Sequence, residues 1–217
     1  MTQKVQKVLR LIERQVRSLK IPWVTQVSKK KKGPFKVLVS CILSLRTKDK
    51  ITQASTENFF KVAKDPNDVL RLKVSQIEKL IYPVGFYRNK ARVLIGIARH
   101  LVNEYKGRVP SSEEALLRLK GVGRKTANLV LGLGFGIPAI CVDTHVHRII
   151  NRLGWTETKD PFSTEMALKK LIPKNWMIKL NTILVAFGQN VCLPISPLCS
   201  KCQVKRYCEK VGVKRSR

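Results

Sequence analysis

The chain has 217 residues and carries 43 lysines and arginines against 14 aspartates and glutamates, a formal net charge of +29. A hydrophobic content of 44% is enough for a folded core, which excludes a disordered basic tail. A folded protein this basic repels itself unless a polyanion or salt screens it, and the usual polyanion is nucleic acid. Ribosomal proteins are equally basic, so charge alone favours nucleic acid without implying an enzyme.

No stretch approaches the roughly 20 apolar residues of a transmembrane helix, and the N-terminus, Met1-Thr2-Gln3-Lys4, lacks the apolar core of a signal peptide. An intracellular protein without a membrane partner is therefore expected. In such a compartment the six cysteines point to metal or thiol chemistry rather than to disulfides.

Helical periodicity dominates the first half of the chain. Residues 4–20 are predicted to form an amphipathic helix, and residues 28–34 an exposed, lysine-rich linker. Residues 35–45 are apolar nearly all round, which favours a buried helix, although a strand would also fit. Thr47 or Asp49 is a candidate cap for the helix that follows. Further helices are expected over residues 50–62, 76–81 and 87–105.

The second half is also predicted to be helical. Ser111 and Glu114 form a capping-box pattern that opens a helix through residue 119. Asp143 or Thr144 would cap another helix. The remaining helices are expected over residues 124–133, 163–171 and 175–187, with a break at 134–138. We find no convincing strand, so the predicted class is all-α with about ten short helices.

Two glycines, Gly121 and Gly123, lie between two of these helices. Glycine lets the backbone turn sharply and approach another chain closely, and the amides at the start of the next helix suit an anion. A lone Gly-x-Gly also occurs in ordinary helical hairpins. The following Arg124-Lys125 and the net charge favour a DNA phosphate here.

Lys125 and Asp143 form a second candidate constellation. A lysine in a first helical turn meets the positive end of the helix dipole beside cationic neighbours, which favours the free, nucleophilic amine. An amine can displace a base at a sugar C1′ and form a Schiff base, with a carboxylate to take a proton or stabilise the cationic sugar. On the residues alone, a solvated Lys125 and an Asp143 that only caps a helix remain the simpler explanation.

Four cysteines follow the pattern Cys192-x6-Cys199-x2-Cys202-x5-Cys208. Four thiolates in one short, basic loop strongly indicate a metal centre. Zinc sites more often show two Cys-x2-Cys pairs, and only one occurs here, so an iron–sulfur cluster is favoured over zinc. Cys41 and Cys141 lie in apolar runs and are expected to be buried thiols.

The pattern Asp143-x-His145-x-His147 is not expected to bind a metal, because alternate residues of a helix point in different directions. We expect His145 to contact DNA instead.

The glycine turn with Lys125, the segment Val142-Asp143-Thr144-His145 and the four-cysteine pattern together resemble endonuclease III. That family comprises DNA glycosylases and apurinic-site lyases of the helix-hairpin-helix superfamily, and the similarity covers nearly the whole chain, from about Leu9 to Cys208. It implies two helical domains with DNA bound across the cleft between them. One would be a six-helix barrel over residues 27–137, and the other an iron–sulfur cluster domain built from residues 1–26 and 138–217.

The resemblance also assigns roles to single residues. Lys125 matches the lysine nucleophile and Asp143 the aspartate that assists it, whereas Gly121 and Gly123 match the phosphate-binding hairpin. Phe86 stands where the family has an apolar wedge, usually leucine, that enters the DNA stack. The ligands of a [4Fe–4S] cluster are matched by Cys192, Cys199, Cys202 and Cys208.

The implied function is a bifunctional enzyme of base excision repair. It would remove oxidised pyrimidines such as thymine glycol from duplex DNA and cleave the abasic strand by β-elimination. The expected partner is double-stranded DNA with damaged bases or abasic sites, bound by a monomer in the nucleoid or nucleus. Two alternatives stay open: a monofunctional mismatch glycosylase of the same superfamily, which typically lacks a lysine at position 125, and a non-catalytic DNA-binding module with a structural metal.

Two residues depart from the family pattern. Lys120 stands where the family often has proline, and it would add a phosphate contact. Arg46 stands where many members carry a glutamine that fills the gap left by the flipped nucleotide. Arginine is longer and charged and prefers guanine edges or phosphates, so the preference for the opposite base is not predicted.

Overall fold

The computed structural model describes residues 2–19, 21–29 and 33–217, and these ranges contain helices and loops but no β-strand. The all-α class predicted from the sequence is confirmed. The chain divides into two compact units, a continuous one from Trp23 to Ile137 and a discontinuous one made of Met1–Pro22 with Pro138–Arg217.

The continuous unit contains eight α-helices in its described residues. They are α2 (Trp23–Lys29), α3 (Gly33–Ser44), α4 (Asp49–Val62), α5 (Pro66–Arg71), α6 (Val74–Ile81), α7 (Tyr87–Tyr105), α8 (Glu113–Leu117) and α9 (Arg124–Leu129). A π-helical segment, Val130–Gly134, follows α9 directly. Helix α3 is buried from Val37 to Leu43, as its apolar sequence predicts, because it packs against α2, α4 and the π-helical segment.

Helix α7 has the bounds that its periodicity predicts, Tyr87 to Tyr105. Ala91, Leu94, Ala98 and Leu101 form its buried stripe, and this stripe packs against α5 and α6. The buried stripe also includes a charged residue, Lys90, which the sequence pattern did not single out.

The discontinuous unit combines α1 (Thr2–Val16), α10 (Thr144–Arg152), α11 (Pro161–Leu171) and α12 (Lys174–Asn190). The apolar stripe of α1, which includes Val8, Leu9 and Ile12, shares one core with residues of α10 and α12. Two short 3-10 turns, Cys199–Lys201 and Lys205–Tyr207, follow within the segment that bears the four cysteines.

The N-terminal boundary of the continuous unit lies at Trp23, whereas the resemblance implied residue 27. Residues 23–26 belong with the later residues because they begin α2, which packs against α3. The expected linker over residues 28–34 is also shorter than predicted, since Ser28 lies in α2 and Gly33 begins α3. Lys30, Lys31 and Lys32 lie outside the described residues.

The predicted N-terminal caps of α4 and α8 are both wrong. At α4 the expected side chains bond to other groups, and at α8 the capping serine is the next residue along the chain. Neither Thr47 nor Asp49 caps α4: Lys48 is its N-cap residue and makes no side-chain capping bond. The Thr47 hydroxyl accepts one hydrogen bond from the Gly85 amide of another loop and one from Lys90 of α7. Asp49 accepts one from the Trp23 amide. Helix α8 is capped by Ser112, whose Oγ accepts from the Ala115 amide, rather than by Ser111.

Candidate functional site

The glycine hairpin, residues 117–125, joins the end of α8 to the start of α9 and contains both glycines singled out from the sequence. Gly121 has a φ of +88°, and a Cβ atom added to it would lie 2.7 Å from a Val93 side-chain carbon. Both the backbone conformation and the packing against Val93 therefore require glycine at position 121. Gly123 has an ordinary φ of −94°, and a Cβ atom there would meet nothing within 4 Å. The fold does not require glycine at Gly123, so its surface is open to a ligand.

Lys125 lies in the first turn of α9, exposed to solvent. It lines a cavity of about 520 Å³ in the continuous unit, a size typical of small-molecule sites. The other residues lining this cavity are Ile42, Ser44, Leu45, Arg46, Phe86, Asn89, Lys90, Val93 and Gly121. Beneath it, burial raises the pKa of the Cys41 thiol to about 12, and the positive charge of Lys125 opposes that rise. The neighbouring Arg124 pairs with Glu113 of α8, which ties the two helices of the hairpin together.

Two loops bring Arg46 and Phe86 to the same cavity. We define the Arg46 loop as residues 45–48 and the Phe86 loop as residues 82–86. Both residues have left-handed backbones, with φ of 51° and 59°. The Arg46 guanidinium carbon lies 5.6 Å from the centre of the Phe86 ring, a cation–π geometry. Phe86 is 63% exposed, so its ring is available to a partner.

Asp143 is the N-cap residue of α10, in the discontinuous unit. Its Oδ1 atom accepts hydrogen bonds from the amides of His145 and Val146, each at 3.0 Å. The simpler role expected from the sequence, a helix cap, is thus present in the structure. A capping carboxylate is held in one orientation, which also suits a group that must meet a substrate at a fixed place.

His145, in the first turn of α10, lies against α12. Its Nδ1 atom is 3.2 Å from a nitrogen of Arg148. Because arginine can only donate, Nδ1 accepts and a neutral His145 carries its proton on Nε2. Gly188 of α12 allows this approach, since a Cβ atom there would lie 2.6 Å from Nδ1 of His145. Arg148 continues the chain of contacts, donating to the carbonyls of Gly188 at 3.2 Å and Cys192 at 2.8 Å.

The four cysteines of the predicted metal centre line one cavity of the discontinuous unit: Cys192, Cys199, Cys202 and Cys208. None of them is in a disulfide. Within the described ranges, no three or more cysteine, histidine or acidic side chains are grouped tightly enough for a single metal ion. Four thiols around one shared cavity offer the type of ligand that both zinc and iron–sulfur clusters use.

Arg152, the last residue of α10, organises this cysteine loop, which we define as residues 192–208. Its side chain is only 8% exposed and donates to the carbonyls of Leu193 at 2.6 Å and Pro194 at 2.7 Å, and to Sγ of Cys192 at 3.4 Å. Its own carbonyl accepts from Sγ of Cys208 at 3.2 Å. Arg152 therefore holds the first and last cysteines of the loop.

Burial affects the thiols of this loop directly. It raises the pKa of Cys202 to about 11, and it also raises the pKa of Cys208. Iron or zinc binds the thiolate, so metal binding at these residues displaces protons.

The cysteine loop is also bound by Gln15 of α1. Its side chain donates to the Lys201 carbonyl at 2.7 Å and accepts from the Gln203 amide at 3.0 Å.

Comparison with known proteins shows to which family this chain belongs. A family described as HhH-GPD superfamily base excision DNA repair protein matches residues 39–174. Endonuclease III of Thermotoga maritima is 48% identical over 180 residues, which cover 83% of this chain and 84% of that protein. The chain belongs to the endonuclease III family. Endonuclease III homolog 1, chloroplastic, of Arabidopsis thaliana is 42% identical over 183 residues, and the match spans 48% of its length.

Solved structures agree with this assignment to the endonuclease III family. A trapped covalent intermediate of endonuclease III with DNA matches with a TM-score of 0.84 and 30% identity, covering 97% of this chain and 96% of that one. A thermostable thymine-DNA glycosylase matches with a TM-score of 0.85 and 28% identity, and 96% of each chain is covered. As a member of the endonuclease III family, the chain is a DNA glycosylase and AP lyase of base excision repair.

Sequence reasoning missed four residues that organise the endonuclease III fold around the sites: Gln15, Lys90, Arg148 and Arg152. Lys90 and Arg152 carried a signal, because each is a charged residue in register with the buried positions of an amphipathic helix. Buried charges are rare unless partners satisfy them.

In its described part the chain has no helix long and apolar enough to span a membrane.

Proposed function

We propose that Lys125 is the amine nucleophile of this enzyme and that Asp143 assists it. The substrates would be oxidised pyrimidines such as thymine glycol in double-stranded DNA. The observation that carries the proposal is the placement of Lys125 in the first turn of α9, beside the glycine hairpin and on the cavity that Arg46 and Phe86 also line. A sugar-phosphate held by the hairpin would lie within reach of the Lys125 amine.

The proposed reaction proceeds in two stages, base release with Schiff-base formation and then β-elimination. First, the Lys125 amine bonds to C1′ of the damaged nucleotide while the bond from C1′ to the base breaks and the base leaves with the electron pair. The new secondary ammonium gives one proton to Asp143, and the departed base takes a proton from water. The bond from C1′ to O4′ then breaks as nitrogen forms a protonated Schiff base with C1′, and O4′ takes a proton. Next, a proton leaves C2′ and the bond between C3′ and its phosphate oxygen breaks, which is β-elimination.

Asp143 would stabilise the positive charge that develops on the sugar and accept a proton from the attacking amine. The cap at the start of α10 supports this role, because it fixes the direction of the carboxylate. The carboxylate would need no rearrangement at the moment of reaction, which is the condition for effective electrostatic stabilisation.

We propose that DNA is held by the backbone of the hairpin at Gly121 and Gly123, with added contacts from Lys120 and His145. Phe86 and Arg46 would enter the base stack. Extracting a nucleotide from a duplex costs a few kcal/mol, and least at a damaged or mispaired base, so filling the gap lowers that cost. We further propose that the enzyme acts as a monomer associated with the nucleoid or nucleus.

The thiolates of Cys192, Cys199, Cys202 and Cys208 would hold a [4Fe–4S] cluster. Such a cluster would cross-link the segment and fix its fold, with no electron transfer needed in the reaction described above. Arg152 and Gln15 would hold the polypeptide on two sides of the cluster, through backbone bonds that need no metal.

The deciding experiment is covalent trapping. The protein is incubated with duplex DNA containing an abasic site or thymine glycol, and borohydride is added to reduce the Schiff base. We expect an adduct that Lys125→Ala abolishes. A matched control is Lys79→Ala, which removes an exposed lysine of α6 and should trap like the parent. Absence of an adduct with both substrates would overturn the Schiff-base mechanism proposed for Lys125.

A second arm separates the mismatch alternative, which the similarity to a thymine-DNA glycosylase structure makes worth testing. DNA with a guanine·thymine mismatch is offered beside thymine glycol, and base release is measured separately from strand cleavage. We expect faster release of thymine glycol, with base release and strand cleavage coupled. Release of mismatched thymine without an adduct would favour a monofunctional enzyme.

The metal is tested on the purified protein. We expect brown protein with about four iron atoms and four sulfides per chain, the content of one [4Fe–4S] cluster. Colourless protein that retains stoichiometric zinc would show that the cysteines hold zinc instead.

A further inference from the structure

Lys90 is the most deeply buried charged side chain of the continuous unit, at 6% exposure. It lies on the buried stripe of α7, and its ammonium donates three hydrogen bonds. The acceptors are the Leu43 carbonyl at 2.9 Å, the Leu45 carbonyl at 2.5 Å and the Thr47 hydroxyl at 3.2 Å. A lysine ammonium has three donors, so all of them are used.

Two of these acceptors are carbonyls at the C-terminal end of α3, where backbone oxygens lack helical partners. A cation at that position also complements the negative end of the helix dipole. The third acceptor, Thr47, lies in the Arg46 loop. Lys90 thus fixes the path by which the chain leaves α3 and enters the Arg46 loop.

Thr47 extends this restraint to the Phe86 loop. Its hydroxyl oxygen accepts a second hydrogen bond, from the Gly85 amide at 3.2 Å. The two loops touch closely there, since a Cβ atom on Gly85 would lie 2.6 Å from the Arg46 carbonyl oxygen. Lys90, Thr47 and Gly85 therefore form one link between α7, the Arg46 loop and the Phe86 loop.

The two loops need such a restraint because their tips are strained. Arg46 and Phe86 are both non-glycine residues with positive φ, a strained conformation that persists only where the surroundings determine it. Their exposed side chains have few packing contacts of their own to hold the backbone in that state.

We propose that Lys90 is the positioning residue that holds Arg46 and Phe86 together as one unit for entry into the DNA stack. This inference rests on the proposed function of those two residues. Lys90 is not a second nucleophile: its amine is buried and engaged with three acceptors, whereas the amine of Lys125 lies on the exposed side of the same cavity.

The test compares one substrate in two contexts. An abasic site is placed either in a fully paired duplex or within a bubble of unpaired bases, where the stack is already open and little extraction is needed. Single-turnover borohydride trapping is measured for the parent, Lys90→Met and Thr47→Val. Arg99→Met is the matched control, since it removes one exposed positive charge from the same helix.

We expect Lys90→Met to lose at least about tenfold in trapping rate on the paired duplex, because misplacement of a positioning contact by about 1 Å can cost that much or more. On the bubble the loss should shrink to less than about twofold, because the loops are not needed to open the stack. Thr47→Val should show the same pattern to a smaller extent, and Thr47→Ser, which restores the hydroxyl, should recover the parent behaviour. Arg99→Met should trap like the parent on both DNAs.

A spectroscopic readout separates positioning from a general loss of structure. A 2-aminopurine opposite the abasic site brightens when it is unstacked, and Lys90→Met should reduce that signal on the paired duplex. If Lys90→Met does not fold, Thr47→Val carries the same comparison. Equal losses on both DNAs, or no loss on either, would overturn the positioning role. Failure of the parent itself to trap would instead overturn the Schiff-base mechanism proposed for Lys125.

Discussion

The cavity of Lys125 and the helix of Asp143 are built in opposite ways. Around Lys125, the side chains proposed to meet DNA are exposed, and three backbone positions have positive φ: Arg46, Phe86 and Gly121. Around Asp143, the elements are buried and regular, and α10 runs from the capping carboxylate to the buried Arg152 without a break. The first region thus presents exposed side chains, whereas the second places its carboxylate at the start of a regular helix.

The difference extends to how each region is restrained. The loops beside Lys125 are held by one lysine, one hydroxyl and a glycine contact. The cysteine loop is held by both ends of Arg152, by Arg148 and by Gln15. The first set of contacts joins the two loops to helix α7, and the second ties the cysteine loop to helices α10 and α1, so different helices position each region. Four changes would break or sharpen this contrast.

The largest effect is expected at Asp143, where two roles can be separated. Asp143→Asn keeps a capping side chain, so the free energy of unfolding should change by less than about 0.5 kcal/mol. The trapping rate should nevertheless fall about 10²–10³-fold, because the carboxylate charge is lost. Asp143→Ala should lose the same rate and also about 1 kcal/mol of stability. Thermal unfolding and single-turnover trapping check both values. A fully active Asp143→Asn would mean that Asp143 is only a cap.

Next in size is Arg152→Met in the fixed region. It leaves the carbonyls of Leu193 and Pro194 without their donor, which should cost about 3 kcal/mol of unfolding free energy. The iron content of the purified protein should fall with it, because the segment that begins at Cys192 loses its side-chain anchor. Denaturant unfolding and iron analysis measure the two effects. Lys159→Met, an exposed change, is the control, and normal iron content in Arg152→Met would contradict the anchoring role.

The two hairpin glycines should respond differently. Gly121→Ala places a side chain at a φ of +88° and against Val93, so we expect a loss of about 2 kcal/mol in stability. Gly123→Ala meets open space and should cost less than about 0.5 kcal/mol. It should nevertheless weaken binding to an abasic-site duplex, because a methyl group would occupy the surface offered to a phosphate. Urea unfolding and binding at fixed salt concentration compare the pair, and unchanged binding by Gly123→Ala would argue against a backbone–phosphate contact.

The smallest effect concerns the pH dependence of stability through Lys90. Burial lowers the pKa of Lys90 from 10.5 to about 8. The unfolded chain then binds the proton more tightly than the folded one, so stability rises with pH between about 8 and 10.5. Relative to Lys90→Met, the parent should gain about 1 kcal/mol of unfolding free energy between pH 7 and 9. Arg99→Met should track the parent over that range, and a pH-independent difference between parent and Lys90→Met would show that the ammonium is not perturbed.

Local pattern accounts for most of the helices. The spacing of apolar residues gave α7 its bounds and identified α3 as buried, because such periodicity reflects one buried face or a fully buried helix. It did not reveal that the helix after Lys125 changes to a π-helix at Val130. The π-helical segment packs on α3, where a Cβ atom on Gly134 would lie only 3.2 Å from the Cα of Pro34.

The sequence revealed only those site residues whose side chains are chemically distinctive. A glycine turn before a lysine, an aspartate before a helix and four spaced cysteines stand out in any reading of the sequence. The residues that hold them do not, because Lys90 and Arg152 bind backbone carbonyls, and every residue has a carbonyl. Their acceptors, Leu43 and Leu193, lie 47 and 41 positions away along the chain.

The sequence by itself determined the helical class and the cysteine pattern, since each depends on residue type and short-range spacing. The roles expected for Lys125 and Asp143 came from the resemblance to endonuclease III. The tertiary structure alone decided that Ser112 rather than Ser111 caps α8, that Thr47 joins two loops instead of capping a helix, and that two buried cations organise the sites. These outcomes depend on which polar groups meet after folding. A buried polar group without a hydrogen-bond partner is costly in free energy. The three-dimensional arrangement, rather than the local sequence pattern, therefore determines which groups become hydrogen-bond partners.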